Sequence, residues 1–232
     1  MNIFLSKKTL ILLFSLPIFI IQSEIIEIKH FHEILNYVTP GCIVLLDIDN
    51  TLLEPHDDHN NIGSDQWFTH LMKTNSNFEH VLNLYCSTIL TTHMQAVEPI
   101  IPEVLKSIQQ QATLLGFTMR SIILAPCTVE RLAHNNIALS TQIPDKGFMI
   151  NGKDPVMVYH DIIFCQGRKN GETLFTVLDA YGITPRCIIM IDDKKQYLES
   201  IETECEKRDI TFIGLRYGYL DEKVKEFLQI HA

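Results

Sequence analysis

The stretch CIVLLDIDNTLLEP, residues 42–55, runs a series of apolar residues straight into Asp47, with Asp49 two positions later and Asn50 and Thr51 behind it. The run is continuous, partly β-branched and too short for a core helix, so it reads as a strand buried on both faces. Two carboxylates so close repel each other unless a bound cation, a shared proton or solvent relieves them. On an extended strand the i, i+2 spacing points both to one side. RCIIMIDD, residues 186–193, repeats the pattern as an apolar run that ends in Asp192 and Asp193.

Working outward, SDQWFTHLMKT opens on a capping Ser64 and NFEHVLNLYCSTILTTHM has helical spacing. IPEVLKSIQQQATLLG places Pro102 near a helix start and Gly116 just past its end. FTMRSIILA (117–125) is expected as a second strand and CTVERLAHN as a short helix. GFMINGKDPVMVYHDIIFCQG (147–167) reads as a hairpin around NGKDP. GETLFTVLDAYG then forms a helix ending at Gly182, and KKQYLESIETECEKR, ITFIGLRY and DEKVKEFLQIH read as helix, strand and helix. Alternating strands and helices predict a Rossmann-like, doubly wound parallel α/β sheet. Ligands bind beyond the carboxyl ends of such strands, where both acidic pairs fall.

Composition narrows the function classes. The chain has 232 residues, 46% of them hydrophobic and 20% charged, which suits one domain of ordinary size or one domain carrying an insertion. A net charge of −9 and a pI near 5.5 argue against a nucleic-acid-binding body. The first 23 residues hold Lys7 and Lys8, an apolar run from Thr9 to Ile21, and then Gln22 and Ser23. That order is a secretory leader cleaved near Ser23, giving a secreted or periplasmic protein; an uncleaved membrane anchor is the alternative. The six cysteines show no CxxC and no Cys/His zinc spacing. Cys42, Cys165 and Cys187 lie in apolar runs as small hydrophobes, so neither a disulfide nor a zinc site is expected.

Carboxylates converging on one sheet edge call for a hard cation, and Mg²⁺ suits oxygen ligands that leave room for water. One such carboxylate can attack phosphorus, and a second can exchange a proton with the leaving oxygen. The Thr51 hydroxyl could orient that acid or the phosphate. By contrast, His56, Asp57, Asp58 and His59 in EPHDDHNN read as a solvated loop, since adjacent ligands rarely converge on one ion. Trp67 reads as a packing anchor, and Arg216 as a structural residue at a strand end.

LLDIDNTLL resembles motif I, hydrophobic-DxDxT, of the haloacid dehalogenase-like (HAD) superfamily, and IIMIDDKKQYLESIE resembles its motif IV. The order and spacing match over about residues 41–218. IGSDQWF, the hairpin before GETL and DDKKQYLESIE together resemble a branch of exported or host-associated bacterial proteins, a domain of unknown function. Secreted acid phosphatases of the superfamily share motif I and an export signal. The resemblance implies Asp47 as nucleophile and Asp49 as general acid and base. Mg²⁺ would be held by Asp47, the Asp49 backbone carbonyl and Asp192, with Asp193 nearby. It further implies a core of residues 24–55 and 116–232, a helical cap at 56–115 that selects the substrate, a small β-hairpin insertion, and a small phosphate ester as substrate.

Two positions depart from that pattern. The strand of motif II should end in Thr or Ser, but SIILAPC places Ala125 there; Thr128 is the nearest hydroxyl, and Pro126 has no N–H to offer. Motif III, often KGExL, reads NGETL and puts Asn170 on the Lys position, with Lys169 and Arg168 just upstream. Lys169 either reaches the phosphate or points to solvent. The reading is therefore an exported Mg²⁺-dependent phosphomonoesterase. Its alternative is a catalytically weak or inactive protein of the same fold, exported as a binding protein with a host or envelope protein as partner.

Overall fold

The computed structural model describes residues 23–56, 61–139, 143–150, 152 and 154–231. The leader and residues 57–60 of the His/Asp-rich loop lie outside the described residues. Among the described residues no helix is long and apolar enough to cross a membrane.

Strand β1 (Glu24–Ile28) and a 3₁₀ turn (Phe31–Asn36) lead into β2 (Ile43–Leu46), followed by β3 (Leu53–Pro55). Helices α1 (Asp65–Thr74) and α2 (Phe78–Thr91) come next, then β4 (Met94–Ala96), α3 (Ile101–Ile108) and β5 (Thr113–Thr118). A second 3₁₀ turn (Ile122–Leu124) opens α4 (Ala125–His134). Strands β6 (Lys146–Ile150), β7 (Asp154–Tyr159) and β8 (Ile162–Phe164) precede α5 (Gly171–Ala180). The chain closes with β9 (Cys187–Asp192), α6 (Lys195–Glu206), β10 (Thr211–Tyr217) and α7 (Asp221–Ile230).

The main sheet has the order β1-β10-β9-β2-β5-β8-β7-β6. Strands β1 through β8 in that order run parallel, while β7 and β6 complete one edge antiparallel. β3 and β4 form a separate antiparallel ribbon. Both faces of the sheet are covered, which is why its central strands lack polar alternation. Val44 and Leu46 pack with α2, α3 and α4 on one face. Ile43 and Leu45 pack with α5 and α6 on the other. The architecture is thus the expected doubly wound, Rossmann-like α/β fold, with a hairpin extending one edge.

Several local expectations are corrected. EIIEI, residues 24–28, for which the sequence suggests no element, is an edge strand parallel to β10. The second strand is Thr113–Thr118, not 117–125, and Ile43 stands opposite Thr113 in its register. Gly116 therefore lies inside the strand instead of capping a helix. A Cβ there would sit 2.9 Å from the Ile162 side chain, so the glycine permits close approach of β8. SIILA becomes a 3₁₀ turn running into α4, with Pro126 in the first helical turn, where its missing N–H costs nothing. The run after the NGKDP turn also breaks in two. His160 and Asp161 both take left-handed backbone (φ 47° and 60°), as a two-residue hairpin turn requires, and β8 then joins β5 in the parallel core.

The cysteine expectation is corrected as well: Cys42 and Cys187 form a disulfide. They precede and open neighbouring strands whose next residues, Ile43 and Ile188, are register partners, so 145 residues of sequence separation collapse to a Cα distance of 4.8 Å. Neither residue's sequence neighbourhood reveals that pairing. Replacing both with Ala is expected to lower stability by about 2–4 kcal/mol, because the bridge closes a long loop. Denaturant melts with and without reductant check this: reductant should lower the parent's midpoint and leave the variant's unchanged.

Candidate active site

The β2–β9 ladder brings the two acidic runs together. The Asp47 N–H donates to the Ile191 carbonyl (3.1 Å), one residue past the Leu46–Ile191 pair, so Asp47 and Asp192 leave the sheet side by side. The extended strand does not continue to Asp49. β2 ends at Leu46, and the chain folds back with Leu52 and Leu53 N–H both on the Ile48 carbonyl (3.0 and 2.8 Å) and Asn50 in left-handed backbone (φ 58°). A tight turn, not strand pleating, places Asp49. Asn is a residue that tolerates this conformation.

Asp47, Asp192 and Asp193 each offer a carboxylate oxygen, and these oxygens lie within 4.8 Å of one another. Asp47 and Asp192 are buried, Asp193 is half-buried. Into this group reaches Lys169, 97% shielded, with its Nζ 2.6 Å from Asp47 Oδ1 and 2.5 Å from Asp192 Oδ2. Two features of the next residues place it. Asn170 is the N-cap of α5, accepting the Thr173 N–H at 2.9 Å. Gly171 lets α5 press on α6; a Cβ there would lie 2.6 Å from the Ser200 carbonyl oxygen. The Tyr197 ring lies 4.8 Å from the ammonium.

The electrostatics show an acid excess that one lysine only partly relieves. Burial raises the Asp47 carboxyl; Lys169 pulls it down, and the Asp49 charge adds to the rise. Burial likewise raises Asp192, with Lys169 opposing and Asp47 reinforcing. Asp193 is raised by burial and by both neighbouring acids. Burial alone would depress Lys169, but Asp192 and Asp47 outweigh it and hold the ammonium above its ordinary range. An all-oxygen donor set with surplus negative charge fits a hard divalent cation.

Asp49 stands apart from that group. Its carboxylate takes a bidentate fork from Arg120, with Nε to Oδ2 at 3.0 Å and Nη2 to Oδ1 at 2.8 Å. Arg120 is itself buried, and its Nη1 donates to the Thr128 hydroxyl at 2.9 Å. Thr128 thus stands one residue behind the site. Ala125 is buried in the first turn of α4, within the hydrophobic core. Thr51 is fully buried, and its hydroxyl has no partner among the described residues. The strand ends at Thr118, and Ser121 lines the cavity three residues on. Misplacing that strand end hid Arg120, although TMR directly after an apolar run was the available signal.

Helix α1 closes the other side. Ser64 caps it by accepting the Trp67 N–H (3.1 Å), and its first residue, Asp65, pairs with Lys194 from the β9–α6 loop. The Asn50 amide donates to Gln66 Oε1 (3.2 Å) and Asp193 Oδ2 (3.4 Å), tying helix, turn and acidic group together. Between helices and sheet edge lies a cavity of about 840 Å³ that reaches Asp47, Asp49, Asp193 and Lys169.

The chain is similar to known proteins at three levels. It is 25% identical over 237 residues to an uncharacterized protein of Rickettsia prowazekii (strain Madrid E), covering 90% of this chain and 84% of that one. Among solved structures, it is similar to a HAD-superfamily hydrolase, subfamily IA, variant 1, from Geobacter sulfurreducens PCA. That match has 12% identity, 81% of this chain and 99% of the other, and a TM-score of 0.38. It is also similar to a haloacid dehalogenase-like family hydrolase from Streptococcus pneumoniae, with 13% identity, 82% and 98% coverage, and a TM-score of 0.41. Residues 27–231, which contain the whole acidic site, match the family described as "Protein of unknown function (DUF2608)", and the chain belongs to that family.

Proposed function

We propose that the protein is a HAD-like phosphomonoesterase that works through an aspartyl-phosphate on Asp47. The observation that carries this reading is the buried Asp47–Asp192–Asp193 group with Lys169 held against it. Asp47, Asp192 and Asp193 would hold Mg²⁺, which when bound supplies positive charge against the phosphoryl oxygens. In the first step an Asp47 carboxylate oxygen bonds to phosphorus as the ester P–O bond breaks; Asp49, entering the step protonated and with one oxygen turned out of the Arg120 fork, gives the departing oxygen its proton. In the second, Asp49 takes a proton from water, whose oxygen attacks phosphorus and releases Asp47 and inorganic phosphate. Arg120 fixes the orientation of Asp49, and Lys169 offsets charge at the reacting end. Helices α1 and α2 serve as the cap.

The departures that favoured a binding-only protein lose their weight in this geometry. Ala125 belongs to a helix, Asn170 caps α5, and the ammonium of Lys169, one residue earlier, lies on Asp47 and Asp192, which supports a motif III role for it. The Cys42–Cys187 disulfide supports an oxidising compartment, in line with an exported chain. N-terminal sequencing of exported protein should then begin at Glu24; a retained leader would reverse that part of the reading. The activity is tested on p-nitrophenyl phosphate and a panel of alkyl phosphates, with Mg²⁺ and with chelator. Metal-dependent release of phosphate is expected, and no turnover of any ester would sink the proposal.

A further inference from the structure

The cavity has two chemically distinct sides. From the sheet edge come the carboxylates, Lys169 and the polar side chains of Ser121, Gln166 and Gln196. From the helices come Phe68, Phe78, Leu82, Tyr85 and Cys86, joined by Met119 beyond β5. Helix α1 adds two polar residues, Asp65 and Thr69, of which Asp65 is already paired with Lys194. Phe68 and Tyr85 brace each other with ring centroids 4.8 Å apart, so this wall is packed rather than collapsed. Phe78 is 57% exposed and Met119 37% exposed, leaving apolar surface in water that a ligand would cover.

The cations in the cavity are equally telling. Among the described lining residues they are Arg120, Lys169 and Lys194. Arg120 is held by Asp49, Lys169 by Asp47 and Asp192, and Lys194 by Asp65. A second phosphate or a carboxylate on the substrate would enter an acidic cavity and find every cation engaged. A polyol would leave most of its hydroxyls against Phe68, Phe78, Leu82 and Met119, which offer them no partner, with only the Tyr85 phenol and the Thr69 hydroxyl to pair on that wall.

We propose that the substrate is a phosphate monoester of an uncharged, largely apolar alcohol, its organic group lying along Phe68, Phe78, Leu82, Tyr85 and Met119. This selectivity rests on the phosphomonoesterase reading for turnover, but not for binding. A volume of about 840 Å³ accommodates a group of drug-like size, within the roughly 300–1,000 Å³ of typical ligand sites.

The experiment has two arms, both on the full mature chain. In the first, kcat/KM is measured for methyl, butyl and hexyl phosphate against glycerol 3-phosphate and adenosine monophosphate, all alkyl esters. Each methylene from methyl to hexyl should raise kcat/KM about two- to fourfold, and hexyl phosphate should exceed glycerol 3-phosphate by at least about 30-fold. In the second, calorimetry compares hexylphosphonate with methylphosphonate, neither of which can be hydrolysed; the hexyl compound should bind at least about 30-fold tighter. Phe78→Ser, at a position exposed enough to spare the core, and Leu82→Asp should each cut the hexyl preference, the latter at least about tenfold. Equal binding of the two phosphonates overturns the inference, as does turnover of glycerol 3-phosphate or the nucleotide as fast as hexyl phosphate. A binding preference without any turnover would support the apolar site and overturn the phosphatase reading alone.

Discussion

Asp47→Asn is expected to cut Mg²⁺-dependent phosphoester hydrolysis by at least about 10⁴-fold while leaving the chain folded. Losing a nucleophile removes the covalent route outright, and such losses lie near the upper end of single-residue effects on catalysis. The replacement is nearly isosteric, and its neighbours suit it. Lys169 keeps Asp192 at 2.5 Å, and the backbone N–H of residue 47 keeps the Ile191 carbonyl. Because burial already disfavours the Asp47 charge, a neutral amide also relieves repulsion from Asp49. The thermal midpoint should therefore stay within about 5 °C of the parent. Steady-state rates and a melt on the same preparation check both halves; a variant that keeps a tenth of the parent rate would remove Asp47 from the nucleophile role.

Lys169→Ala should damage both stability and rate. The ammonium is buried between Asp47 and Asp192, so its removal leaves two buried carboxylates without their positive partner. Breaking a buried pair by deleting one member costs about 3–5 kcal/mol, far more than an exposed pair would. For a chain of this size that corresponds to a midpoint lowered by roughly 6–20 °C. Turnover should drop by about 10²–10³ through lost stabilisation of charge at the phosphoryl group. Added Mg²⁺ should recover more of the midpoint in the variant than in the parent, since a cation held by the same three carboxylates offsets the missing charge. Thermal melts across a Mg²⁺ titration read this directly. A variant as stable as the parent in chelator would show that the acids do not need the lysine.

The sequence carried a good part of both fold and site, for identifiable reasons. CIVLLDID and RCIIMIDD declare buried parallel strands because continuous apolar runs of that length have few other homes. Their acids lie at the carboxyl ends, which marks the ligand edge of the sheet. Ser64 and Gly182 marked helix boundaries through backbone groups that local side chains or left-handed backbone must satisfy. What failed were choices that local composition leaves balanced. ATLLGFT and FTMRSIILA are both apolar, and Gly116 serves a helix end or a crowded strand equally well until β8 is known to press on it. EIIEI is too short and too mixed to declare itself a strand without β10 beside it.

By itself, then, the sequence determined the doubly wound sheet, the positions of its acids and a carboxylate chemistry suited to a cation, because all three rest on periodicity and on strand ends. Only the tertiary structure decided how those acids are partnered. It joined Arg120 to Asp49 and Cys42 to Cys187, and it turned Lys169 inward upon Asp47 and Asp192. These pairings span 71, 145, 122 and 23 residues of chain, and no local propensity reports which distant partner a side chain will meet.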